Sequence, residues 1–517
     1  MAQPLQAYAI TAPGFYGLNT QDSSLDLSSG FALVANNCII DQYGRVGARK
    51  GWTKVNSSTN ADLGTSDVKM MAELIANDGT SYVLLAGNNK LFKVNGSSIT
   101  TLSYGGGGVA PTITDSNWQA AAINGYLVLY QSGHDPLIFD PATSTTQYKR
   151  ISEMASYSGT VQKSNAVISA YGRTWSADVT TNKVTIQWCD LQSPAVFNTG
   201  TAGTLDTTQV WPKGTDSIVA LGAHNGFLYV FGKNNILIYQ GATDPSTMSL
   251  YDVVTGIGCI ARDSVQNTGT DIIFLSATGV RSLQRTIQEK SAPLNDLSRN
   301  VRNDLIAAVN GEDKATIKSV YSPLDGFYAI TMPVLKTVYC FDTKQALQDG
   351  SLRATTWDSI TPKSFCRKAD GTVLLGKEGY VGTYAGYLDD TSTYRFQYFT
   401  NHFDLGKPSF ISFLKRLKVV VIGGSNQYIT AKWGYDFDGN FYSANMQIPS
   451  QAGVAYYGVS EYNTTGVEYT GGVALQTLTA YPTGSGKVIQ VGFETDVNSL
   501  ALSIQKIEVH AKEGKMA

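Results

Sequence analysis

The chain has 517 residues, enough for two to four domains or for one large propeller or barrel with attachments. With 39 Lys and Arg against 41 Asp and Glu, a net charge of −2 and only 15% charged residues, it has neither the dominant basic surface of a DNA-wrapping protein nor the charge density of a disordered chain. No run of about 18 apolar residues marks a membrane helix, and the opening MAQPLQAYAI lacks the basic-then-apolar order of a secretion signal.

Residues 1–64 are rich in Gly, Asn and Ser and read as short strands at best. From residue 65 a unit recurs: a strand, a tight turn with Gly, an aromatic-rich strand, another turn and an apolar strand. It is clear in IANDGTSYVLLAGNNKLFKVNG (75–96), AAINGYLVLYQSGHDPLIFD (121–140) and GAHNGFLYVFGKNNILIYQG (222–241). The Asn-Gly and Asp-Gly pairs supply the positive φ angles that two-residue hairpin turns need. Gly79, Gly125, Gly172, Gly226, Thr270, Gly326 and Gly371 mark successive copies, separated by 46, 47, 54, 44, 56 and 45 residues. That period is near the 40–50 residues of a propeller blade. Tyr126, Val128 and Tyr130 alternate with Leu127 and Leu129, so both faces of this strand are apolar, as stacked blades require. The fold class predicted is all-β: a β-propeller of six or seven blades over 65–392, with WD40 and Asp-box signatures absent.

One segment, PLNDLSRNVRNDLIAAVN (293–310), has helical periodicity, with Leu297, Val301, Leu305, Ile306 and Val309 on one face, Asn295 as cap and Gly311 after its end. Residues 393–517 lose the blade period and alternate as an antiparallel β-sandwich or platform domain.

The five cysteines (Cys38, Cys189, Cys259, Cys340, Cys366) are scattered and show no ligand spacing, so they read as buried hydrophobes of a reducing compartment. PTGSGK (482–487) ends like a phosphate-binding loop, but Tyr481 and Val488 replace the required Gly and Ser/Thr, and a strand follows. Gly256-Ile-Gly258-Cys-Ile-Ala261 fits a dinucleotide fingerprint without the helix such a site needs. Asp436-Phe-Asp438-Gly439-Asn440 opens like a calcium loop, but its twelfth position, 447, is Gln. The four histidines are far apart, Asp389-Asp390 reads as a solvated turn, and no GxSxG is present. No catalytic residue, metal site or cofactor is predicted.

The one tight basic cluster is Lys415, Arg416 and Lys418, flanked by Phe413-Leu414 and Val419-Val420-Val421. On a regular strand Lys415 and Leu417 would share one face, Arg416 and Lys418 the other. Two readings stand: an edge strand guarded by charge, or a contact to phosphate or to an acidic partner.

The N-terminal residues carry a further pattern: Gly17-Leu-Asn-Thr20, Asp22, Leu25-Asp26, Ala32, Asn36-Asn37-Cys38, Gly44-Arg45-Val46 and Arg49-Lys50-Gly51-Trp52. This resembles the opening of the tail nozzle proteins of short-tailed bacteriophages, also called tail tubular protein B or phage stabilisation proteins. Segments 261–283, 292–305, 403–422 and 499–515 are similar to later parts of that family, in the same order. The resemblance implies a virion structural protein of the tail, assembled in the host cytoplasm, and not an enzyme. It implies a homo-hexameric ring below the portal and its adaptor, carrying tail fibres or spikes. Genomic DNA would be retained by the ring and pass through its lumen without sequence-specific binding. It also implies that residues 1–64 pack on the platform or on a neighbouring subunit. A lumen of neutral or acidic residues is expected, because each phosphate contact adds affinity that opposes sliding. Two other classes stay open. A propeller receptor- or glycan-binding tail protein could stack sugars on Tyr16, Tyr43, Trp175, Trp211 or Trp357. A glycan-degrading enzyme would need clustered carboxylates on the central strands.

Overall fold

The computed structural model describes residues 5–114, 117–212, 214–288, 296–404, 409–449, 454–455, 468–469 and 475–516. Among these residues the chain forms a β-propeller joined to a two-sheet platform. Six sheets contain the four strands of a blade, and a seventh, three-stranded, completes the ring. Their innermost strands are Met70–Ile75, Trp118–Ile123, Ser164–Ala170, Ile218–His224, Gln266–Asn267, Lys318–Ser322 and Ser364–Arg367. Each of these touches the next, and Ser364–Arg367 returns to Met70–Ile75, so the ring is closed.

The seven marker turns fall between the first and second strands of the seven sheets. At Asn124-Gly125 and Asn225-Gly226 both residues have positive φ, 45° and 77° in the first pair, 50° and 81° in the second. These are the angles that match the twist of a two-residue hairpin. At the Thr270 marker the positive angle sits on Gly269.

The two-faced strands explain why the ring holds. Leu127 and Leu129 enter a core shared with the first blade's Leu84, Ala86 and Leu91. Val128 and Tyr130 face the other way, into a core with Val167 and Cys189 of the third blade. The remaining cores repeat this arrangement at successive interfaces, so most of the propeller's hydrophobic stabilisation lies between blades. Each fully buried Leu or Val contributes about 1.5–3 kcal/mol. All five cysteines are buried and unpaired, four in these cores and Cys38 in the platform's core, and burial pushes the thiols up, Cys259 to about 11 and Cys366 to about 12.

The propeller is not confined to 65–392. The outer strand of the last blade is Trp52–Lys54, hydrogen-bonded antiparallel to Val381–Tyr384. The N-terminal segment thus supplies the outer strand of the last blade, and strands from its residues 6–48 build the platform. Gln6–Thr11 pairs with Leu502–Met516, and Phe31–Asn36 pairs with Tyr394–Thr400. The platform's larger sheet continues directly from the sixth blade: Leu352–Trp357 meets Phe31–Asn36 at Thr356 and Asn36, and the ladder runs on through Tyr394–Thr400, Ile489–Val497, Gln427–Tyr435 and Tyr442–Ile448. The smaller sheet carries Phe410–Gly423 beside Leu502–Met516, and both sheets share one core.

The helix is shorter than its periodicity suggests. It spans Arg302–Asn310 after a 3₁₀ turn at Arg299–Val301. Leu297, Val301, Leu305 and Val309 are buried in the platform core, whereas Ile306 is only half-buried. The predicted cap Asn295 lies outside the described residues. Among the described residues no helix is long and apolar enough to cross a membrane.

Part of the N-terminal pattern, Asn36-Asn37 and Arg49-Lys50-Gly51-Trp52, meets at one seam between platform and propeller. Arg49 is fully buried, and all five of its N–H groups are used. Nε donates to Asn37 Oδ1 (3.1 Å), Nη1 to Lys50 O (2.8 Å) and Asp389 Oδ1 (2.8 Å), Nη2 to Ser359 Oγ (2.6 Å) and Asp389 Oδ2 (2.7 Å). Its guanidinium lies 4.0 Å from the Tyr394 ring centroid. Asn37 donates onward to Asp358 and to the Arg395 carbonyl. Gly51 is required by close approach: a Cβ there would lie 1.8 Å from the Leu388 carbonyl oxygen. Asp389-Asp390 is therefore not a solvated turn. Asp389 binds Arg49, and Asp390 binds Lys54 at 2.8 Å.

Replacing Asp389 by Ala leaves the Arg49 charge buried without its counter-ion. A loss of about 3–5 kcal/mol is expected, read as a lower urea midpoint. A change under about 1 kcal/mol would mean that the pair does not hold the seam.

Candidate functional site

The basic cluster lies on the outer face of the smaller platform sheet. Its strand, Phe410–Gly423, is not an edge. Leu502–Met516 pairs with it on one side, Leu475–Ala480 and Ser485–Gly486 on the other. The guarded-edge reading therefore fails. So does regular alternation, because the register steps from Leu414↔Ala511 to Arg416↔His510 and leaves Lys415 as the extra residue of a β-bulge. Leu414, Leu417 and Val419 all point into the core, and Lys415, Arg416 and Lys418 are all left on the outer side.

The neighbouring strand adds Lys506, Glu508, His510 and Lys512 to this face, by pairing with Val420, Lys418, Arg416 and Phe413 in turn. Glu508 is bound by Lys506, lies 3.8 Å from Lys418, and is 3.2 Å from His510 Nε2. The Lys506 ammonium, aided by His510 and Lys418 against the effect of burial, holds the Glu508 carboxyl below its usual range. Among the described residues on this face, Lys415, Arg416, Lys418, Lys506 and Lys512 outnumber Glu508, so the patch is positive and suited to a phosphate or an acidic surface.

A second polar cluster, which no sequence motif announces, fills the propeller axis. Arg262 is 4% exposed. Its guanidinium donates to Asn117 Oδ1, the Trp118 carbonyl, both oxygens of Asn165, and Asp263. Lys318 Nζ donates to Asn117 Oδ1 at 2.9 Å and to Asp263 Oδ2 at 2.5 Å. Burial raises the Asp263 pKa, but Arg262 and Lys318 outweigh it and hold the carboxyl at about 2. Burial pulls Lys318 down. Asp263 is thus an ionised counter-ion to Arg262 and Lys318 at neutral pH. A cavity of 160 Å³ beside Asp263 and Lys318 and one of 460 Å³ beside Arg262 flank the cluster.

The remaining sequence candidates are structural. Asp436 Oδ1 accepts from the backbone N–H groups of Lys487 and Val488, so the calcium-like loop and the phosphate-loop-like turn brace one another. Gly256–Ala261 leads through a 3₁₀ turn into a strand. Among the described residues no three His, Cys, Asp or Glu side chains gather as a metal ion would require. Trp175, Trp211 and Trp357 are buried at 0%, 4% and 2% exposure, inside inter-blade cores, and cannot stack on a sugar. Tyr43 is exposed, with Arg45 over its ring, and Tyr16 is half-buried.

No protein-family model matches the sequence, and no curated protein matches it significantly. Among solved structures, the chain is similar to the Pan2 WD40 domain of Neurospora crassa, with 10% identity over 65% of this chain and 96% of that one, at a TM-score of 0.40. YCF48 from Cyanidioschyzon merolae matches with 12% identity over 65% and 98%, at 0.38. A streptogramin B lyase matches with 12% identity over 65% and 97%, at 0.36.

Two outcomes follow from these clusters. Asp263 has a lower pKa folded than unfolded, so its stabilisation is present above about pH 4 and is lost as pH falls toward 2. It amounts to roughly 2 kcal/mol, and Asp263→Asn should flatten the acid limb of a stability-against-pH curve. On the platform, the triple variant K415E/R416E/K418E should elute from a heparin column at clearly lower salt with an unchanged melting temperature, because the three side chains point outward. Equal retention would show that the face is electrostatically silent.

Proposed function

We propose that this chain is a virion structural protein, a tail nozzle of a short-tailed bacteriophage. Six copies would form a ring below the portal adaptor and enclose the exit channel for genomic DNA. The observation that carries the reading is the N-terminal pattern from Gly17 to Trp52. It is not a loose set of polar residues: Gly17, Asn19, Ala32, Asn37, Cys38, Val46, Arg49, Gly51 and Trp52 are all buried. Gly17 lies against Ala354 so closely that a Cβ would come within 2.6 Å of its carbonyl oxygen. Asn19 caps its own turn by accepting from the N–H groups of Gln21 and Asp22.

The electrostatics support a scaffold more than a catalyst. Among the described residues of the axial cluster the carboxylate is Asp263, tied up by Arg262 and Lys318, whereas glycan cleavage needs two poised ones. The outward basic face gives the ring a place to meet an acidic partner such as an adaptor or a fibre.

The test is the mass and symmetry of the purified protein, with and without its candidate adaptor, by light scattering and negative-stain microscopy. A six-fold ring with a central hole, alone or on the adaptor, is expected. A monomer or trimer that ignores the adaptor would overturn the reading, and glycan screening would then address the receptor-binding alternative.

A further inference from the structure

A groove of 640 Å³ lies between the N-terminal segment and the outer hairpin of the sixth blade. Tyr16 and Phe31, with ring centroids 5.4 Å apart, form an aromatic wall. Gln345, Gln348 and Asp349 form the opposite side, and Arg353 contributes to the lining.

Arg353 is 5% exposed and differs from the other buried guanidinium groups described above. Its Nη2 donates to Gln345 Oε1 at 3.2 Å, and its Nη1 lies 3.8 Å from Asp342 Oδ2, beyond hydrogen-bond range. Among the described residues its Nε–H has no acceptor. A buried donor without an acceptor costs about 1–3 kcal/mol, more when charged. The surrounding charges leave a cation in surplus. Lys50 is paired with Asp325 at 2.6 Å and Lys344 with Asp342 at 3.0 Å, which leaves Arg353 only a share of Asp342. Closing the gap to Asp342 would satisfy Nη1 but not Nε. Asp349, the other carboxylate of the groove, is engaged by Arg299 at 3.1 Å.

We propose that this groove is a binding site for a carboxylate carried on an apolar or aromatic body. The carboxylate would accept from the under-satisfied Arg353 guanidinium, and the body would lie against Tyr16 and Phe31. The site is independent of the nozzle reading, because it rests on the groove's own geometry and charge. The carboxylate can come from a small organic acid or from an acidic residue of a peptide, and the two sources are separable by experiment.

Calorimetry on the full chain would compare 3-phenylpropionate with 3-phenylpropionamide, and acetyl-Phe-Glu-amide with acetyl-Phe-Gln-amide. At least one acid should bind about ten-fold or more tightly than its amide, as a charge-assisted bond of about 1.5–3 kcal/mol requires. Preference for the peptide acid would identify a partner segment, and preference for 3-phenylpropionate a small acid. The variant Gln345→Glu places a carboxylate beside the guanidinium from an exposed position. It should keep the fold, by melting temperature, and weaken acid binding about ten-fold. Arg353→Met should abolish the acid-over-amide preference. Absence of acid binding at low-millimolar concentration, equal binding of acid and amide, or unchanged binding by Gln345→Glu would overturn the proposal and leave a water molecule as the occupant of the Nε site.

Discussion

A guanidinium sealed from water fixes how the two halves of this molecule meet. Arg49 draws its acceptors from four separate stretches of chain, at Asn37, Lys50, Ser359 and Asp389. Removing such a charge from water costs several kcal/mol unless every donor is answered. The seam is therefore stable only when all four stretches are in place. Immediately upstream, Val46–Ala48 pairs into the smaller platform sheet. Immediately downstream, Trp52–Lys54 closes the last blade. One residue thus couples closure of the ring to completion of the platform, and neither half has its full set of hydrogen bonds without the N-terminal segment.

The same coupling runs through the backbone. In a free-standing propeller the outer strand of each blade is an edge. Here the outer strand of the sixth blade meets Phe31–Asn36 and opens into the platform's larger sheet. The fifth and sixth blades share the platform's core through Ile273, Leu275, Tyr328 and Ile330. A hydrogen-bonded ladder with a common core resists hinge motion far better than a linker between two domains would. The platform face that carries Lys415, Arg416 and Lys418 is therefore held in a fixed orientation to the propeller.

What could be read from the sequence, and what could not, divides along local and non-local physics. The marker turns were legible because a two-residue hairpin imposes its demand on two adjacent residues, and each marker does sit in the first hairpin of a sheet. The two apolar faces of Tyr126–Gln131 were legible because the period of a strand is fixed. The outward display of Lys415 together with Arg416 was not, because a bulge exists only relative to its partner strand. The axial cluster was invisible for the same reason: Asp263 and Lys318 are 55 residues apart, and only ring closure brings them together. The tryptophans were misplaced as sugar platforms because a repeat reveals that strands are aromatic but not that both neighbours cover them. The resemblance placed residues 1–64 against the platform or a neighbouring subunit, but that residues 6–48 enter the platform's sheets as paired strands was not legible, since a short Gly-rich segment shows no period of its own.

The axial cluster also constrains any role in passing a polymer. A propeller has a natural hole, and a DNA conduit could in principle run through it. In this chain the hole is occupied. Arg262 is tied to Asn117, Trp118, Asn165 and Asp263, and Lys318 to Asn117 and Asp263, with only small cavities beside them. Opening it would break a charge-assisted network in a poorly solvated site, and the buried charges would be left unanswered. Duplex DNA could not enter without dismantling the blades' inner strands. If the protein forms a conduit, the channel must lie between copies and not within one. The propeller then acts as a rigid body on the outside, the platform is the part free to build the wall, and the charge that DNA meets is set by whichever platform face turns inward. The basic face is the wrong choice for that wall, since five cations per copy would hold a passing phosphate backbone by many salt-dependent contacts. In such a ring the basic face would be placed toward a protein partner, where the same charges would give orientation and speed of docking.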